Sequence, residues 1–274
     1  MGPRREGPSV KRPPLRIHII TEEDPIYLPE FFRQFFASVA RERFVVTGVD
    51  ITPTLGQKTR GALARKLYRF YGPVDFARLG LRYVAASALD LLSPATWWSG
   101  TVRRIVRRHG VPCETIANVN AATYVERLRR LDLDLLVSVA ASQIFKSELL
   151  AVPRLAAINI HTGTLPKYRG MMPVFWQMYD GRASIGITIH AMTREIDVGE
   201  VLLHREVPLN GERRLDVVIR KMKRHGAGVI LELLDAYYAG SVKPIALDMS
   251  EAGYRSFPGE REAMVFRQMG YRLL

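Results

Sequence analysis

Cysteine is almost absent from this chain of 274 residues, which contains only Cys113. A single thiol excludes a disulfide within the chain and a structural zinc site built from four cysteines. It fits a reducing, cytoplasmic compartment, where disulfides are rare. Long apolar runs are also missing. The apolar run LRIHII, which follows the basic N-terminal segment, is too short for the core of a signal peptide or for a helix that spans a membrane.

Acidic residues are in deficit. The chain has 27 Asp and Glu against 40 Lys and Arg, which gives a formal net charge of +13. Most of the excess lies in residues 1–110, with 19 Lys and Arg against 9 Asp and Glu. Such an excess of positive charge is typical of proteins that bind a nucleic acid, an anionic membrane surface or a phosphorylated substrate. The hydrophobic content of 47% is that of a globular domain and excludes disorder and low-complexity classes.

The apolar pattern predicts one α/β domain over residues 15–240. Short apolar runs such as LRIHIIT, FVVTGVDI, DLLVSVA and LAAINIH alternate with segments of helical spacing. This alternation is typical of a doubly wound, mostly parallel sheet. Residues 55–100 contain no convincing strand and are interpreted as a helical insertion. Residues 1–14 are predicted to form a disordered leader, and the tail 241–274 shows no strong periodicity.

Candidate catalytic residues follow two of the predicted strands. Asn159 and His161 share one face of a strand end, because strand side chains alternate. Ligands of open α/β sheets bind at the carboxyl ends of strands. The loop TGTLPKYRG comes next, and Asp197 follows a later strand in the sequence EIDVGE. The sequence therefore predicts that an amide, an imidazole and a carboxylate converge at one edge of the sheet.

These motifs resemble those of the folate-dependent formyltransferases. That family has Asn-x-His, a loop ending in Leu-Pro-x-x-Arg-Gly, and an Asp-x-Gly turn whose Asp lies 36 residues after the His, as Asp197 does after His161 here. Several fixed positions at fixed spacing are more specific than a lone short motif. The resemblance covers about residues 130–210. Thr162-Gly163-Thr164 departs from the usual Pro-Ser-Leu or Gly-Ser-Leu, and Met171-Met172-Pro173 replaces smaller residues.

The resemblance implies a Rossmann-like formyltransferase fold and transfer of a formyl group from 10-formyltetrahydrofolate to an amine, with no metal. It implies that Asn159 and His161 stabilise charge on the formyl oxygen, and that Asp197 transfers the amine's proton. Asp197 is also expected to favour the protonated ring of His161. The residues assigned to the pterin are Val139, Ala140, Ala141, Ser142, Gln143, Ile144, Phe145 and Ile196. The residues assigned to the acceptor are Thr162, Lys167, Tyr168 and Arg169.

The acceptor is narrowed by elimination within the family. The acidic segment TEEDP after the first strand differs from the glycine-rich turn with which the purine-synthesis type holds a ribose phosphate. Only 34 residues follow Gly240, too few for the C-terminal barrel of the initiator-tRNA type. The 14 residues before the first strand are too few for the regulatory domain of the folate hydrolase. We therefore expect a small amine, phosphorylated or nucleotide-linked, and most simply a nucleotide-linked amino sugar. Methionyl-tRNA formyltransferase-like and formyltetrahydrofolate hydrolase activities are the alternatives, and homo-oligomerisation is left open.

A second class of function rests on the basic N-terminal half. Residues 60–82 interleave basic and aromatic side chains, and Trp97, Trp98 and the arginines of 103–108 extend this pattern. It suits a non-enzymatic protein that binds RNA or an anionic membrane. We favour instead a helical lid whose aromatic residues pack on the core, so a nucleic-acid partner is not expected and peripheral membrane contact is left open. His190 is interpreted as a structural neighbour of the site rather than a ligand.

Overall fold

The computed structural model describes residues 12–53, 60–92 and 100–274. The strands are β1 (Leu15–Glu22), β2 (Phe44–Thr52), β3 (Cys113–Thr115), β4 (Leu135–Val139), β5 (Ala156–His161), β6 (Arg169–Gly170), β7 (Ser184–Ala191), β8 (Val201–Pro208) and β9 (Tyr254–Arg255). The helices are α1 (Leu28–Ser38), α2 (Arg60–Leu92), α3 (Val102–Arg108), α4 (Ala122–Arg129), α5 (Ser147–Leu150), α6 (Pro173–Tyr179), α7 (Leu215–Ala239) and α8 (Glu260–Gln268). Most of the predicted leader, and both Trp97 and Trp98, lie outside the described residues.

Seven strands form the central sheet in the order β3-β2-β1-β4-β5-β7-β8. The first five of these pair in parallel. β7 then pairs antiparallel to β5, and β8 pairs antiparallel to β7. The doubly wound, mostly parallel α/β fold that the sequence predicts is confirmed. Because β1, β4 and β5 run in the same direction, their carboxyl ends share one edge of the sheet.

Apolar runs and apolar helix faces build the core on both sides of this sheet. β4 is buried along its whole length, as expected for a continuous apolar strand covered on both faces. On one face, α1 presents phenylalanines at helical spacing toward α7, and the rings of Phe31 and Phe35 stack with centroids 6.0 Å apart. Within the described residues, no helix is long and apolar enough to cross a membrane.

The predicted insertion forms a long, bent helix. α2 is interrupted at Gly72, whose φ of 70° and ψ of 171° are not helical, and Pro73 follows. Before the bend, the ring of Phe70 is fully buried and lies 5.4 Å from the rings of both Phe175 and Phe257. This aromatic contact joins the first half of the insertion to the core.

The tail folds back onto the same domain. β9 pairs in parallel with β6, the short strand in the loop that follows His161. α8 buries only Ala263 and Phe266, and the Phe266 ring lies 4.7 Å from that of Phe175. Two buried positions are too few to give a clear helical period in the sequence, which explains why no helix was expected after Gly240.

Replacing Phe70 with Ala should lower the free energy of unfolding by about 3–5 kcal/mol, because it leaves a cavity where three aromatic side chains meet. Tyr68 is the matched control, since it lies two residues away in the same helix with 49% of its surface exposed. Tyr68→Ala should change the free energy by no more than about 0.5 kcal/mol. Urea denaturation followed by circular dichroism measures both values, and equal losses would show that Phe70 does not anchor the insertion.

Candidate active site

β5 and β7 together place three of the polar residues of the site. Asn159 and His161 lie at the carboxyl end of β5, two residues apart on one face. β7 pairs with β5 in antiparallel register, and Asn159 lies directly opposite His190. Directly opposed residues of an antiparallel pair project to the same face, so His190 joins the site. The sequence alone did not identify it as a site residue.

The side chains of these residues and Asp197 form one connected polar cluster. Nε2 of His190 lies 3.1 Å from the Asn159 amide nitrogen and 3.3 Å from Oδ1 of Asp197. The other oxygen of Asp197 is 3.6 Å from Nδ1 of His161. His161, His190 and Asp197 are buried. We refer to these four residues as the polar cluster.

Asp197 is held in place by its backbone as well as by its side chain. Its φ of 55° lies in the left-handed region, which Asp tolerates better than most residues. Two residues later, a Cβ at Gly199 would lie 1.8 Å from the Ala191 carbonyl oxygen, so only glycine fits there. The Asp-x-Gly pattern of the sequence therefore has a steric origin. Oδ2 of Asp197 also accepts a 2.9 Å hydrogen bond from the Gly170 N–H.

These contacts keep Asp197 ionised. Burial alone would raise the pKa of this carboxyl group, but the adjacent His161, the hydrogen bond from His190 and that from Gly170 outweigh burial. Together they lower the pKa of Asp197 to about 2. The site therefore contains a fixed negative charge at neutral pH.

His161 presents an unprotonated nitrogen to the cluster. Its Nε2 lies 2.7 Å from the Tyr168 carbonyl oxygen, and because a carbonyl can only accept, Nε2 carries the proton. Burial lowers the pKa of His161 more than Asp197 raises it, so the ring is neutral and Nδ1 is a proton acceptor. Asp197 does favour the protonated ring, as the sequence led us to expect, but burial disfavours the charged form more strongly.

Gln177 shapes the loop that follows His161. It is fully buried on α6. Its Oε1 accepts hydrogen bonds from the backbone N–H groups of Thr164 (3.3 Å) and Gly186 (2.9 Å), and its Nε2 donates to the Thr162 carbonyl (3.1 Å). No motif marks this position, so it could be identified only from the folded chain.

The residues assigned to the acceptor by resemblance differ in what they can reach. Lys167 is exposed, and Thr162 is partly buried. The Tyr168 side chain is only 1% exposed and packs in the core, so only its carbonyl faces the site. Arg169 donates two hydrogen bonds, of 3.0 and 2.8 Å, to the Ile196 carbonyl, and its guanidinium therefore joins two loops of the site.

The segment Val139–Phe145 follows β4 and is fixed by hydrogen bonds from its side chains to other loops. Ser142 donates to the Pro53 carbonyl (2.7 Å), and Gln143 donates to the Ala117 carbonyl (2.8 Å). Ala140 adopts a left-handed conformation with φ of 54°, which turns the chain sharply at the end of the strand. The loop is therefore held in a defined shape.

The two segments that the resemblance assigns to the pterin combine apolar side chains with backbone polar groups. Phe145 is buried in an apolar cluster against which Ala141 and Met192 pack, and Met192 begins the turn that contains Ile196. Each segment also exposes an isoleucine, Ile144 at 59% and Ile196 at 39%. Exposed apolar side chains beside backbone polar groups suit a ring with apolar faces and polar edges. In the described part of the chain, no group of three or more His, Cys, Asp and Glu could hold a metal ion.

Comparison with known sequences supports the family resemblance. Residues 113–234 match a family model described as formyl transferase. Curated relatives include the methionyl-tRNA formyltransferase of Cyanothece sp., 36% identical over 155 residues, which cover 56% of this chain and 46% of that protein. The enzyme of the same name from Listeria innocua is 29% identical over 170 residues, covering 62% of this chain and 54% of that protein. The chain thus spans about half the length of these relatives.

Solved structures share the fold. A sugar N-formyltransferase from Shewanella sp. aligns with a TM-score of 0.56 at 19% identity, over 89% of this chain and 77% of that one. Glycinamide ribonucleotide transformylase 1 from Symbiobacterium toebii aligns with a TM-score of 0.57 at 15% identity, over 85% of this chain and 94% of that one. At these identities the likeness shows the architecture alone.

Replacing Asp197 with Asn should weaken the dependence of folding stability on acid pH. The pKa of Asp197 in the folded chain, about 2, lies below its ordinary value of 3.8. Its ionised form therefore stabilises the fold above pH ~4, and this contribution, about 2 kcal/mol, is lost as the pH falls toward 2.

Urea denaturation at a series of pH values between 6 and 2 measures this effect. Asp235→Asn is the control, because Asp235 forms a surface ion pair with Arg43 that contributes little. A wild-type pH dependence in the Asp197 variant would contradict the assignment of a buried, ionised carboxylate.

Proposed function

We propose that this chain is a folate-dependent formyltransferase, which transfers the formyl group of 10-formyltetrahydrofolate to the primary amine of a small molecule. The proposal rests on one observation, the buried polar cluster at the end of β5, which combines a fixed carboxylate with an amide and an imidazole. The formyl donor supplies an activated one-carbon carbonyl group. The amine nitrogen bonds to the formyl carbon, the bond from that carbon to N10 of the donor breaks, and tetrahydrofolate leaves. The chain therefore has to stabilise charge on the formyl oxygen, accept the proton of the amine and return a proton to the leaving nitrogen.

The geometry favours a different role for each residue of the polar cluster. The amide of Asn159 is the donor suited to the oxygen that gains charge. Nδ1 of the neutral His161 ring is suited to accept the proton of the amine, because Nε2 is committed to the Tyr168 carbonyl. Asp197, at 3.6 Å, then stabilises the ring as it becomes positive. These roles assign proton acceptance to His161 and electrostatic support to Asp197, which differs from the roles that the resemblance implied.

A basic cavity on the same edge of the sheet supports an anionic acceptor. It measures about 540 Å³ and is lined by Pro25 and Ile26, which follow β1, together with side chains of α1, α2 and α7. The end of β1 lies two strands from the end of β5, which places them about 10 Å apart. Four arginines line the cavity against two acidic residues, Glu30 and Asp216: Arg33, Arg82, Arg214 and Arg220. We propose that it holds the phosphate groups of a nucleotide-linked amino sugar.

Transfer to a methionyl-tRNA is the second candidate. Curated relatives at 29–36% identity carry the name methionyl-tRNA formyltransferase. The same cavity arginines could contact the phosphates of an RNA. The two candidates differ in their acceptors, so a direct comparison of acceptors separates them.

Incubation with 10-formyltetrahydrofolate and a panel of nucleotide-linked amino sugars, glycinamide ribonucleotide and methionyl-tRNA should yield a formylated amino sugar, detected by mass spectrometry. Asn159→Ala and His161→Ala should each lower kcat by about 10²–10³-fold, because each removes a group that acts on the reacting atoms. His225→Ala is the matched control, since His225 is exposed, and it should keep wild-type activity. Release of free formate without a formylated amine would contradict the proposal, and formylation of tRNA alone would select the second candidate.

Replacing Arg220 with Ala should raise KM for the amino sugar nucleotide by about tenfold and leave KM for the formyl donor unchanged. Arg220 lines the cavity, and its buried Nε has no hydrogen-bond partner among the described residues. A charge-assisted hydrogen bond to a phosphate contributes about 1.5–3 kcal/mol. Lys221→Ala is the control on the same helix, because Lys221 donates a hydrogen bond to the Pro208 carbonyl and does not line the cavity. Steady-state kinetics with each substrate varied would contradict the proposal if both variants gave the same KM values.

A further inference from the structure

The second half of α2 exposes apolar side chains to solvent along one face. We call this face the outer stripe and define it by Val74, Ala77, Leu81, Val84 and Ala85, which recur at helical spacing. Leu81 is 72% exposed, Val84 62% and Val74 61%. From its first to its last residue the outer stripe spans about 17 Å of helix.

The same segment turns charged residues toward the protein. Asp75 pairs with Arg267 of α8 (3.4 Å), and Arg82 pairs with the buried Asp216 of α7 (3.0 Å). Phe76 and Leu79 pack against the core between these two pairs. The helix of a soluble domain normally buries its apolar stripe and exposes its charges. Here the two ion pairs fix the helix so that the outer stripe faces outward.

Several exposed apolar side chains on one helix face mark a site of interaction. The charge around it indicates the partner. Arg78 is exposed on the same half of α2, and Arg65 and Arg69 are exposed on the half before the bend at Gly72. Asp75 is the one acidic residue among the α2 side chains that the structure describes, and it is already paired with arginines. The exposed surface of α2 thus combines apolar side chains with positive charge.

We propose that the outer stripe docks on an anionic membrane surface, with the second half of α2 lying in the plane of the interface. Apolar side chains then enter the boundary between headgroups and acyl chains, and the arginines contact anionic lipid headgroups. A second copy of the chain would bring the same arginines against one another. RNA would be bound by the arginines alone and would leave the aliphatic side chains without a role.

The orientation of α2 on the membrane also determines where the cavity lies. Arg82 and Ala86, on the inner side of the same helix, line the cavity described above. A helix docked on the membrane therefore holds that cavity close to the lipid surface. The membrane proposal does not depend on the identity of the acceptor.

Flotation of the full chain with vesicles tests the proposal. The chain should bind vesicles of phosphatidylcholine with one-third phosphatidylglycerol at least tenfold more tightly than vesicles of phosphatidylcholine alone. The double variant Leu81→Glu/Val84→Glu should lose binding to the anionic vesicles by at least tenfold, because two apolar side chains no longer leave water. The double variant Arg65→Gln/Arg69→Gln should lose about tenfold through charge alone.

Leu155→Glu/Met264→Glu is the matched control, since these side chains are 51% and 52% exposed and lie outside α2. It changes the net charge by the same amount as the stripe variant and should bind as the wild type does. Circular dichroism verifies that every variant folds. The proposal is overturned if the stripe and control variants bind equally. It is also overturned if the wild-type chain is a dimer and the stripe variant, but not the control variant, is a monomer. Binding to RNA without binding to anionic vesicles would overturn it as well.

Discussion

The Asp197 carboxylate is the group on which the rest of the site depends. A buried charge is costly unless several donors compensate for the loss of water. Here the compensation comes from His190 on β7 and from the Gly170 N–H in the loop between β5 and β7. The neutral His161 ring attracts Asp197 only once it takes up a proton. The same contacts that stabilise the charge also fix the positions of these groups. The turn that carries Asp197 is fixed in its own right by the close approach of Gly199 to Ala191.

Elements far from the reacting groups support this arrangement. Gln177 forms hydrogen bonds with backbone groups of the loop after His161, and β9 of the tail pairs with β6 in the same loop. The tail is further anchored through Phe266, which packs on Phe175 of α6. Changes in the tail should therefore reach the site through the loop that it braces. The site is a property of the whole domain rather than of its three motif residues.

The sequence predicted what local pattern determines. Strand alternation placed Asn159 and His161 on one face, and the fixed spacing to Asp197 indicated that the three residues meet. His190 was missed as a site residue because its place depends on the antiparallel register of β7 against β5, which the alternation within its own strand does not reveal. Gln177 and α8 were missed for a related reason, since both act through tertiary contacts. The sequence also did not predict that the outer stripe faces solvent, because helical periodicity does not show which face of a helix is exposed. Part of the charge excess of the N-terminal half lies at the cavity, as Arg33 and Arg82, and part lies on the exposed surface of α2, as Arg65, Arg69 and Arg78.

The central claim is that an ionised Asp197 lies beside a neutral His161 whose Nδ1 is free to accept a proton. Nitrogen NMR of the histidine rings at neutral pH tests it most directly, with His161→Gln used to assign the His161 signals. We expect a neutral ring protonated at Nε2, with an Nδ1 resonance typical of an unprotonated nitrogen. A ring protonated at both nitrogens, or a neutral ring protonated at Nδ1, would contradict the claim and return the role of proton acceptor to Asp197.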